Sequence, residues 1–341
     1  MADVDVEKGV AEATAGNSKF GWNKRVVLGP DYWRWLVVVF GLTSSILGSS
    51  LIAGWWLVEN HLGVGIFFLV TTCLLSACTL VFVSLAAMTD PGILPRGTTS
   101  PEDVPESDNA VRLVEVNGVP TIMKFCGTCQ IWRPPRSHHC RKCDNCIEKF
   151  DHHCPYVGNC VGARNYHYLL KFIMSYLASM AFGFPMVILA ITWESISLQS
   201  SQNLSPAEAF GTALKTDGTF LLFIYLFINV WFSFFCVRLL VIHLRLIWKN
   251  TTVAERNKKT FEHGNPYPKR GWQNFRAVCF PDVKPSRIVA GYEGPTWSLP
   301  EDCDVTIVGE AIDNLEQGQS TAKLSSSLKS TYSADSAVSD V

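Results

Sequence analysis

Charged residues are scarce in this sequence, and the few present are unevenly spread. Asp, Glu, Lys and Arg make up 17% of the 341 residues, which is low for a soluble domain. The formal net charge is −1, so no positive excess favours nucleic-acid binding, and we predict no nucleic-acid partner. Residues 1–20 also lack the short apolar core of a cleavable signal peptide.

Four long segments carry no charged residue, and each approaches or exceeds the roughly 20 apolar residues needed to cross a bilayer. They are Leu36–Val58, Gly63–Met88, Phe172–Trp193 and Phe220–Val237, the last continuing in apolar-rich form to Trp248. A buried helix of a soluble protein seldom runs so far without a charge. We therefore predict an all-α multi-pass membrane protein with four transmembrane helices. We identify no internal repeat.

The distribution of Lys and Arg predicts the orientation in the membrane. Residues 1–34, 89–165 and 249–341 carry five, nine and eleven of them, whereas 59–62 carry none and 194–219 carry one. By the positive-inside rule, both termini and the middle segment face the cytosol. The sequence does not distinguish an endomembrane (Golgi or ER) from the plasma membrane.

The predicted organisation has seven parts. A cytosolic tail (1–34) precedes transmembrane helices 1 and 2 (35–88), and residues 97–120 within the following cytosolic segment (89–123) form a polar loop. A cysteine-rich, zinc-stapled module of short β-hairpins and loops (124–168) leads to transmembrane helices 3 and 4 (169–248). A cytosolic, membrane-associated segment (249–290) and a largely disordered tail (291–341) complete the chain.

Metal binding is the favoured explanation of the cysteine pattern. Seven of the twelve cysteines lie between residues 126 and 160, together with four histidines. In a reducing cytosol, disulfides are disfavoured there. The C-x2-C spacing, which brings two thiolates onto one ion, occurs at Cys126/Cys129, Cys140/Cys143 and Cys143/Cys146.

Counting ligands leaves three residues over. Two closed tetrahedral zinc sites consume eight of the eleven candidates. Seven cysteines cannot fill two all-thiolate sites, so histidine contributes. Two Cys3His sites then leave one cysteine and two histidines without metal.

The run Asp151-His152-His153-Cys154 contains a candidate for the spare cysteine. In an extended strand alternate side chains share a face, so His152 lies beside Cys154 while His153 points away. A thiol beside a histidine forms a thiolate–imidazolium pair, and Asp151 would orient the imidazole. Counting alone leaves open the alternative that all four residues are merely zinc-ligand sequence.

At this point the sequence resembles the DHHC protein S-acyltransferases, also called palmitoyltransferases. The resemblance covers C-x2-C, R-P-x-R, H-C-x2-C-x2-C, D-H-H-C and a cysteine six residues later, followed by "VGNCVGARNY". It implies Cys154 as acyl acceptor, His152 as base and Asp151 as its orienter. It also implies two interleaved structural zinc sites, formed by Cys126, Cys129, His139 and Cys146, and by Cys140, Cys143, His153 and Cys160.

Two flanking signatures extend the resemblance. "NTTVAERN" is similar to the family's T-T-x-E pattern, with Thr252 as a candidate hydrogen-bond partner of Asp151, but Glu255 lies one residue too late. "PYPKRGWQNFRAVCF" resembles the C-terminal family segment, in which Asn274 ties the tail to the spans. Tyr156 stands where the family usually has Trp, so contacts to the acyl chain are in question.

The resemblance implies acyl-CoA (palmitoyl-CoA) as co-substrate, with the bilayer and membrane-associated client proteins carrying a nearby cysteine as partners. Arginine suits phosphate recognition, and Arg133, Arg136 and Arg164 are candidates for the CoA head group. Two rival functions are a membrane-anchored zinc module that only binds proteins, which needs no reactive thiol, and a transporter, which needs ionisable residues inside its spans. The sequence names no client or accessory subunit.

Overall fold

Four helices of the chain are long and apolar enough to cross a membrane. The computed structural model describes residues 16–97, 99, 103–108, 110–215, 217–261, 264–267, 271–289 and 305–307. Within these, the candidate spans are Tyr32–Glu59, Leu62–Met88, Tyr166–Gln202 and Gly218–Trp248. The prediction of a helical membrane protein with four spans is confirmed, although each of the four helices begins before its charge-free segment does.

The helices are numbered in chain order. They are α1 (Tyr32–Leu42), α2 (Gly48–Asn60), α3 (Leu62–Met88), α4 (Tyr166–Gln202), α5 (Pro206–Ala213), α6 (Asp217–Trp248), α7 (Val253–Asn257) and α8 (Gly271–Cys279). A single π-helical turn, Thr43–Leu47, joins α1 to α2 within the first span. Helix α4 has 37 residues and, at 1.5 Å per residue, is about 55 Å long, so it extends beyond a hydrocarbon layer of roughly 30 Å.

The strands are short and form small antiparallel sheets. They are β1 (Lys19–Gly21), β2 (Val26–Leu28), β3 (Val111–Val116), β4 (Val119–Cys126), β5 (Ile131–Arg133), β6 (His138–Cys140), β7 (Asn145–Ile147), β8 (His152–Cys154), β9 (Asn159–Val161) and β10 (Val305–Ile307). The four-stranded sheet has the order β10-β3-β4-β5, and β1-β2, β6-β7 and β8-β9 are separate pairs. The predicted module of short β-hairpins is confirmed.

One expectation about the segments around the module needs correction. The polar loop expected at 97–120 contains β3 and the start of β4, joined by a tight turn in which Asn117 and Gly118 both have positive φ. In the N-terminal tail, Lys19–Gly21 and Val26–Leu28 pair as β1 and β2. In the C-terminal tail, β10 pairs with β3; the remainder of 291–341 and residues 1–15 lie outside the described residues.

The module contains an internal repeat that the sequence analysis missed. The hairpin His138–Ile147 pairs His138 with Ile147, His139 with Cys146 and Cys140 with Asn145. The hairpin His152–Val161 pairs His152 with Val161, His153 with Cys160 and Cys154 with Asn159. The sequences are HHCRKCDNCI and HHCPYVGNCV, displaced by fourteen residues. We call them the first and second hairpins.

Two buried asparagines join the second hairpin to the spans. Asn159 Nδ2 donates to the carbonyl oxygens of Val27 (2.9 Å) and Ala87 (3.0 Å). Asn165, at the start of α4, donates to Ala86 (3.0 Å) at the end of the second span and accepts a hydrogen bond from the amide of Gly162 (2.9 Å). Because these bonds are buried, they fix the hairpin at one end of the helical bundle.

Candidate active site and metal centres

Two clusters of cysteine and histidine lie inside the module. The first contains Cys126, Cys129, His139 and Cys146, and the second contains Cys140, Cys143, His153 and Cys160; within each, the donor atoms lie within 4.8 Å of one another. These are the groupings that the family resemblance implies. Each hairpin contributes its own histidine and last cysteine to one cluster, but Cys140 and Cys143 of the first hairpin join the second cluster. The two sites are therefore interleaved.

The donor geometry fits zinc. A tetrahedral ion with bonds of about 2.3 Å to sulfur and 2.05 Å to nitrogen places those atoms about 3.6 Å apart. His139 Nδ1 lies 3.6, 3.4 and 3.7 Å from the sulfurs of Cys126, Cys129 and Cys146. In the second cluster, the three distances from His153 Nδ1 are 3.7, 3.4 and 3.7 Å. Three thiols and one imidazole in this arrangement suit a structural zinc ion.

Strand β8 directs its two histidines to opposite sides. His153 points into the second cluster, whereas His152 points away from it, with Nδ1 2.7 Å from Asp151 Oδ2. His152 also forms a side-chain hydrogen bond with Cys154. Because side chains alternate along a strand, His152 and Cys154 share one face. Cys154 belongs to neither cluster.

The Asp151–His152 pair is strongly ionised. Burial acts to lower the pKa of His152, but the hydrogen bonds with Asp151 and Cys154 outweigh it and raise this pKa to about 10. Burial acts to raise the pKa of Asp151, yet the hydrogen bond and charge of His152 leave this pKa below its usual value. The arrangement therefore favours an imidazolium that the Asp151 carboxylate stabilises beside Cys154.

Two backbone amides at the start of helix α7 donate hydrogen bonds to Asp151. The amide of Val253 donates to Asp151 Oδ1 (2.9 Å), and the amide of Ala254 donates to the Asp151 carbonyl (3.1 Å). The expected side-chain bond from Thr252 to Asp151 is not formed. Thr252 instead caps α7 by accepting from the amide of Glu255 at 3.2 Å, so the backbone of the helix, not the hydroxyl, contacts the carboxylate.

The displaced Glu255 has two contacts that explain its position. Three residues after the N-cap, its Oε2 accepts from the amide of Thr252 (2.8 Å), which completes a capping box. It also forms a bidentate ion pair with Arg136, at 2.7 and 2.9 Å. Both side chains are less than a tenth exposed. Glu255 thus fastens α7, and through it Asp151, to the loop before the first hairpin.

The three candidate arginines for the CoA head group do not converge. Arg136 is committed to Glu255 and to Asn250, and Arg164 pairs with Asp90 at 2.9 Å. Both line a cavity of about 460 Å³ beside Asp151. Arg133 lies in a different group, described next.

A cluster of basic groups lies beside the first hairpin. Lys258 Nζ is 3.0 Å from His138 Nδ1, and Arg133 Nε donates to the Lys124 carbonyl (3.4 Å). Burial and the charge of Arg133 lower the pKa values of Lys124 and Lys258. None of the three cations pairs with a carboxylate of the described residues. A cluster of this composition suits a multiply charged anion.

Cys154 borders the apolar interior of the helical bundle. It belongs to a buried cluster to which all four spans contribute, through Leu42, Ile46, Val83, Ala86, Ala87, Leu169, Phe172, Ile173, Tyr176, Met180 and Cys236. On the outer side, Tyr156 is 48% exposed and its ring lies 5.5 Å from that of Phe235 in the fourth span. The thiol therefore lies between the charged module and an apolar helical core.

His243 in the fourth span is a neighbour of the site. The structure buries it, with its ring centroid 6.2 Å from that of His152. Tyr166 OH lies 2.8 Å from His243 Nδ1. No local pattern distinguishes these two residues; only the packing of α4 against α6 brings them to the Asp151–His152 pair.

Comparisons with known proteins agree with this site. A family model described as DHHC palmitoyltransferase matches residues 120–260, which include both clusters and α7. Three similar proteins of Arabidopsis thaliana are Probable protein S-acyltransferase 1 (31% identical), Protein S-acyltransferase 8 (30%) and Probable protein S-acyltransferase 5 (32%). The alignments cover 85%, 82% and 80% of this chain, and 86%, 70% and 58% of those proteins.

The chain thus spans little more than half of one relative but most of the other two. The matched region contains two zinc-type clusters, a thiol outside both of them and two of the four helices able to span a membrane; the other two helices precede it. The chain belongs to the DHHC palmitoyltransferase family, the protein S-acyltransferases.

Proposed function

We propose that Cys154 accepts a long-chain acyl group from acyl-CoA and passes it to cysteines of client proteins. The observation that carries this proposal is the position of its thiol. Of the seven cysteines in the module, Cys154 is the one outside both clusters, and it contacts His152 where the four spans meet. A cysteine that only stabilised a zinc module would not need this arrangement.

In the first step, the Cys154 thiolate attacks the carbonyl carbon of the acyl-CoA thioester. A new carbon–sulfur bond forms and the bond to the CoA sulfur breaks. His152 holds the proton taken from Cys154 and donates it to the departing CoA thiolate. Asp151, held by the Val253 amide, keeps the imidazole oriented and stabilises its charge.

In the second step, a client thiol loses its proton to His152 and attacks the acyl group on Cys154. The client keeps the acyl chain, and Cys154 leaves as a thiolate that recovers the proton from His152. One thioester replaces another in each step, so the site mainly has to position the reactants and supply a thiolate.

The two zinc ions have a structural role in this proposal. Zinc held by each Cys3His cluster substitutes for a hydrophobic core in a module built of very short strands. His153 and Cys160 bind one ion from opposite strands of the second hairpin, and so fix the strand that carries Cys154. No zinc ligand takes part in acyl transfer.

The acyl chain would lie among the spans and the CoA head group in the aqueous phase. Burial stabilises an acyl chain by about 0.8 kcal/mol per CH₂, which favours the apolar cluster around Cys154. Lys124, Arg133 and Lys258, which form no ion pair with a carboxylate of the described residues, would bind the CoA phosphates. The excess of Lys and Arg on the module side supports a cytosolic site, where it would meet membrane-associated clients.

The experiment is labelling of the purified full chain, in detergent or vesicles, with labelled palmitoyl-CoA. We expect a hydroxylamine-sensitive label on the wild type and none on Cys154→Ser. The matched control is Cys78→Ser, which alters an exposed cysteine of the second span and keeps full labelling. Equal labelling of wild type and Cys154→Ser, or no label on either, would overturn the proposal.

A further inference from the structure

The two hairpins differ at the turn position that faces their metal clusters. In the first hairpin this position is Asp144, whose Oδ1 lies 3.5 Å from His139 Nε2. In the second it is Gly158. Both residues have positive φ, at 50° and 72°, so the backbone turns in the same way. The second hairpin therefore has no carboxylate of its own at this position.

A carboxylate nevertheless reaches the equivalent histidine atom. Oδ2 of Asp31, the residue before α1, lies 3.2 Å from His153 Nε2. Gly158 makes this approach possible, because a Cβ built there would lie 2.5 Å from the Asp31 carbonyl oxygen. Any larger residue at 158 would displace the segment that carries Asp31.

The start of the first span does not explain the orientation of Asp31. The Asp31 side chain accepts no capping hydrogen bond from α1. It is directed to His153, with Lys142 Nζ at 3.5 Å from the same oxygen and Arg34 Nη1 at 4.0 Å. These two cations offset the charge of a carboxylate placed beside a cluster of thiolates.

The chemistry of such a contact is well defined. His153 presents Nδ1 to the sulfurs, so its other nitrogen, Nε2, is free to donate a hydrogen bond. A carboxylate that accepts this bond fixes the ring and makes the imidazole a better ligand. Asp144 provides the same contact to His139 in the first cluster.

We propose that Asp31 is the outer carboxylate of the second metal site, provided by the segment that begins the first span because the second hairpin has glycine where the first has Asp144. Asp31 is a positioning residue, since it acts through His153, the neighbour of Cys154. This inference rests on zinc in the clusters and does not depend on acyl transfer.

The test is the rate at which the purified full chain releases zinc to a chromogenic chelator. We expect Asp31→Asn to release one of its two zinc ions about 10- to 100-fold faster than the wild type. The matched control, Asp144→Asn, releases the other ion faster. The double variant should therefore release both zinc ions quickly. If the two substitutions acted on the same ion, one zinc ion would still be released slowly.

Asp31→Glu keeps the carboxylate and should restore most of the slow release. Release of both ions by Asp31→Asn at the wild-type rate would overturn the inference. So would equal acceleration of both ions in that variant, since this would mean a general loosening of the module. Because no acyl-CoA is present, the result is independent of whether Cys154 is the acyl acceptor.

Discussion

The two hairpins of the module have nearly the same sequence and register but different chemistry. In the first, Cys140 and Cys143 both belong to a cluster able to hold a metal ion; in the second, Val157 stands at the position equivalent to Cys143, and Cys154 has no C-x2-C partner. This one difference between the repeats leaves Cys154 outside both clusters. The second hairpin lacks the second cysteine of a C-x2-C pair, so Cys154 has no neighbouring thiol with which to hold an ion.

The second difference between the hairpins is the pKa of the histidine that precedes the histidine of each metal cluster, His138 in the first hairpin and His152 in the second. Ser137 precedes His138, and burial together with the charge of Lys258 lowers the pKa of His138 to about 4. Asp151 precedes His152, whose pKa is raised to about 10. The same residue in the same strand position is therefore neutral in one hairpin and cationic in the other. A carboxylate on one side and lysine on the other account for this contrast.

The largest effect should separate these two histidines. We expect His152→Ala to reduce the rate of enzyme acylation by about 10² to 10⁴, because a positioned general base is lost. His138→Ala should instead raise the acyl-CoA concentration needed for half-maximal rate, with little change in the maximal rate. Single-turnover labelling over a range of palmitoyl-CoA concentrations distinguishes the two. Equal effects on the maximal rate would show that the hairpins do not differ in the proposed way.

Loss of the buried Glu255 charge should have the next largest effect. Glu255→Gln leaves Arg136 without its partner, which costs about 3–5 kcal/mol for a buried pair. We expect a lower thermal midpoint and slower acylation, because α7 no longer holds Asp151 firmly. Glu208→Gln is the matched control: Glu208 forms the same capping box with Ser205, but at an exposed helix. A similar change in midpoint for both variants would contradict a special role for the Arg136 pair.

A smaller, pH-dependent effect should follow from Asp151→Asn. The folded-state pKa of His152 is raised, so its charged form persists from low pH up to about pH 10. The wild-type acylation rate should then vary little between about pH 7 and 9. Without the carboxylate the pKa of His152 falls, because its hydrogen bond and ion pair with Asp151 are lost, and the imidazolium is less populated at neutral pH. The variant rate should be lower by about tenfold, the effect of about one lost pKa unit, and should rise with pH.

A rate of Asp151→Asn that does not vary with pH would contradict the proposed role of the Asp151 carboxylate. The conservative control is Asp151→Glu, which keeps the charge and should retain a shallow pH dependence. Zinc content should be unchanged in both variants, because Asp151 contacts neither cluster.

The free energy of unfolding of the module should also depend on pH through the pKa values of His152 and Asp151. The raised pKa of His152 stabilises the folded state below about pH 6.5, and this stabilisation disappears as the pH rises through about 10. The lowered pKa of Asp151 acts in the opposite range: its stabilisation is present above the ordinary carboxyl pKa and disappears in acid. The Asp151–His152 pair is therefore strongest around neutral pH.

Much of the fold could be predicted because its signals are local. Charge-free stretches identified the four spans, and cysteine spacing identified the metal module. The β3–β4 hairpin was also readable: Asn117-Gly118 between runs rich in valine and isoleucine is a strong hairpin signal. It was missed because flanking polar residues suggested a loop. The fourteen-residue repeat was equally visible in the letters HHC and NC.

The remaining site residues could not be predicted because they act over long sequence distances. Asp31 meets His153 across 122 positions, and Tyr166 meets His243 across 77. The sequence around Asp31 or Tyr166 does not indicate which residue it contacts. Thr252 illustrates the converse difficulty: its position near Asp151 was anticipated, but the choice between hydroxyl and backbone amide depends on how α7 begins.

The central claim is that Cys154 alone among the cysteines of the module is not committed to metal. The most direct measurement is the zinc content of purified wild type, Cys154→Ser and Cys140→Ser, which alter equivalent positions of the two hairpins. The account predicts two zinc ions per chain in the wild type and in Cys154→Ser, but one in Cys140→Ser. A loss of zinc from Cys154→Ser would make Cys154 a ligand and contradict the account.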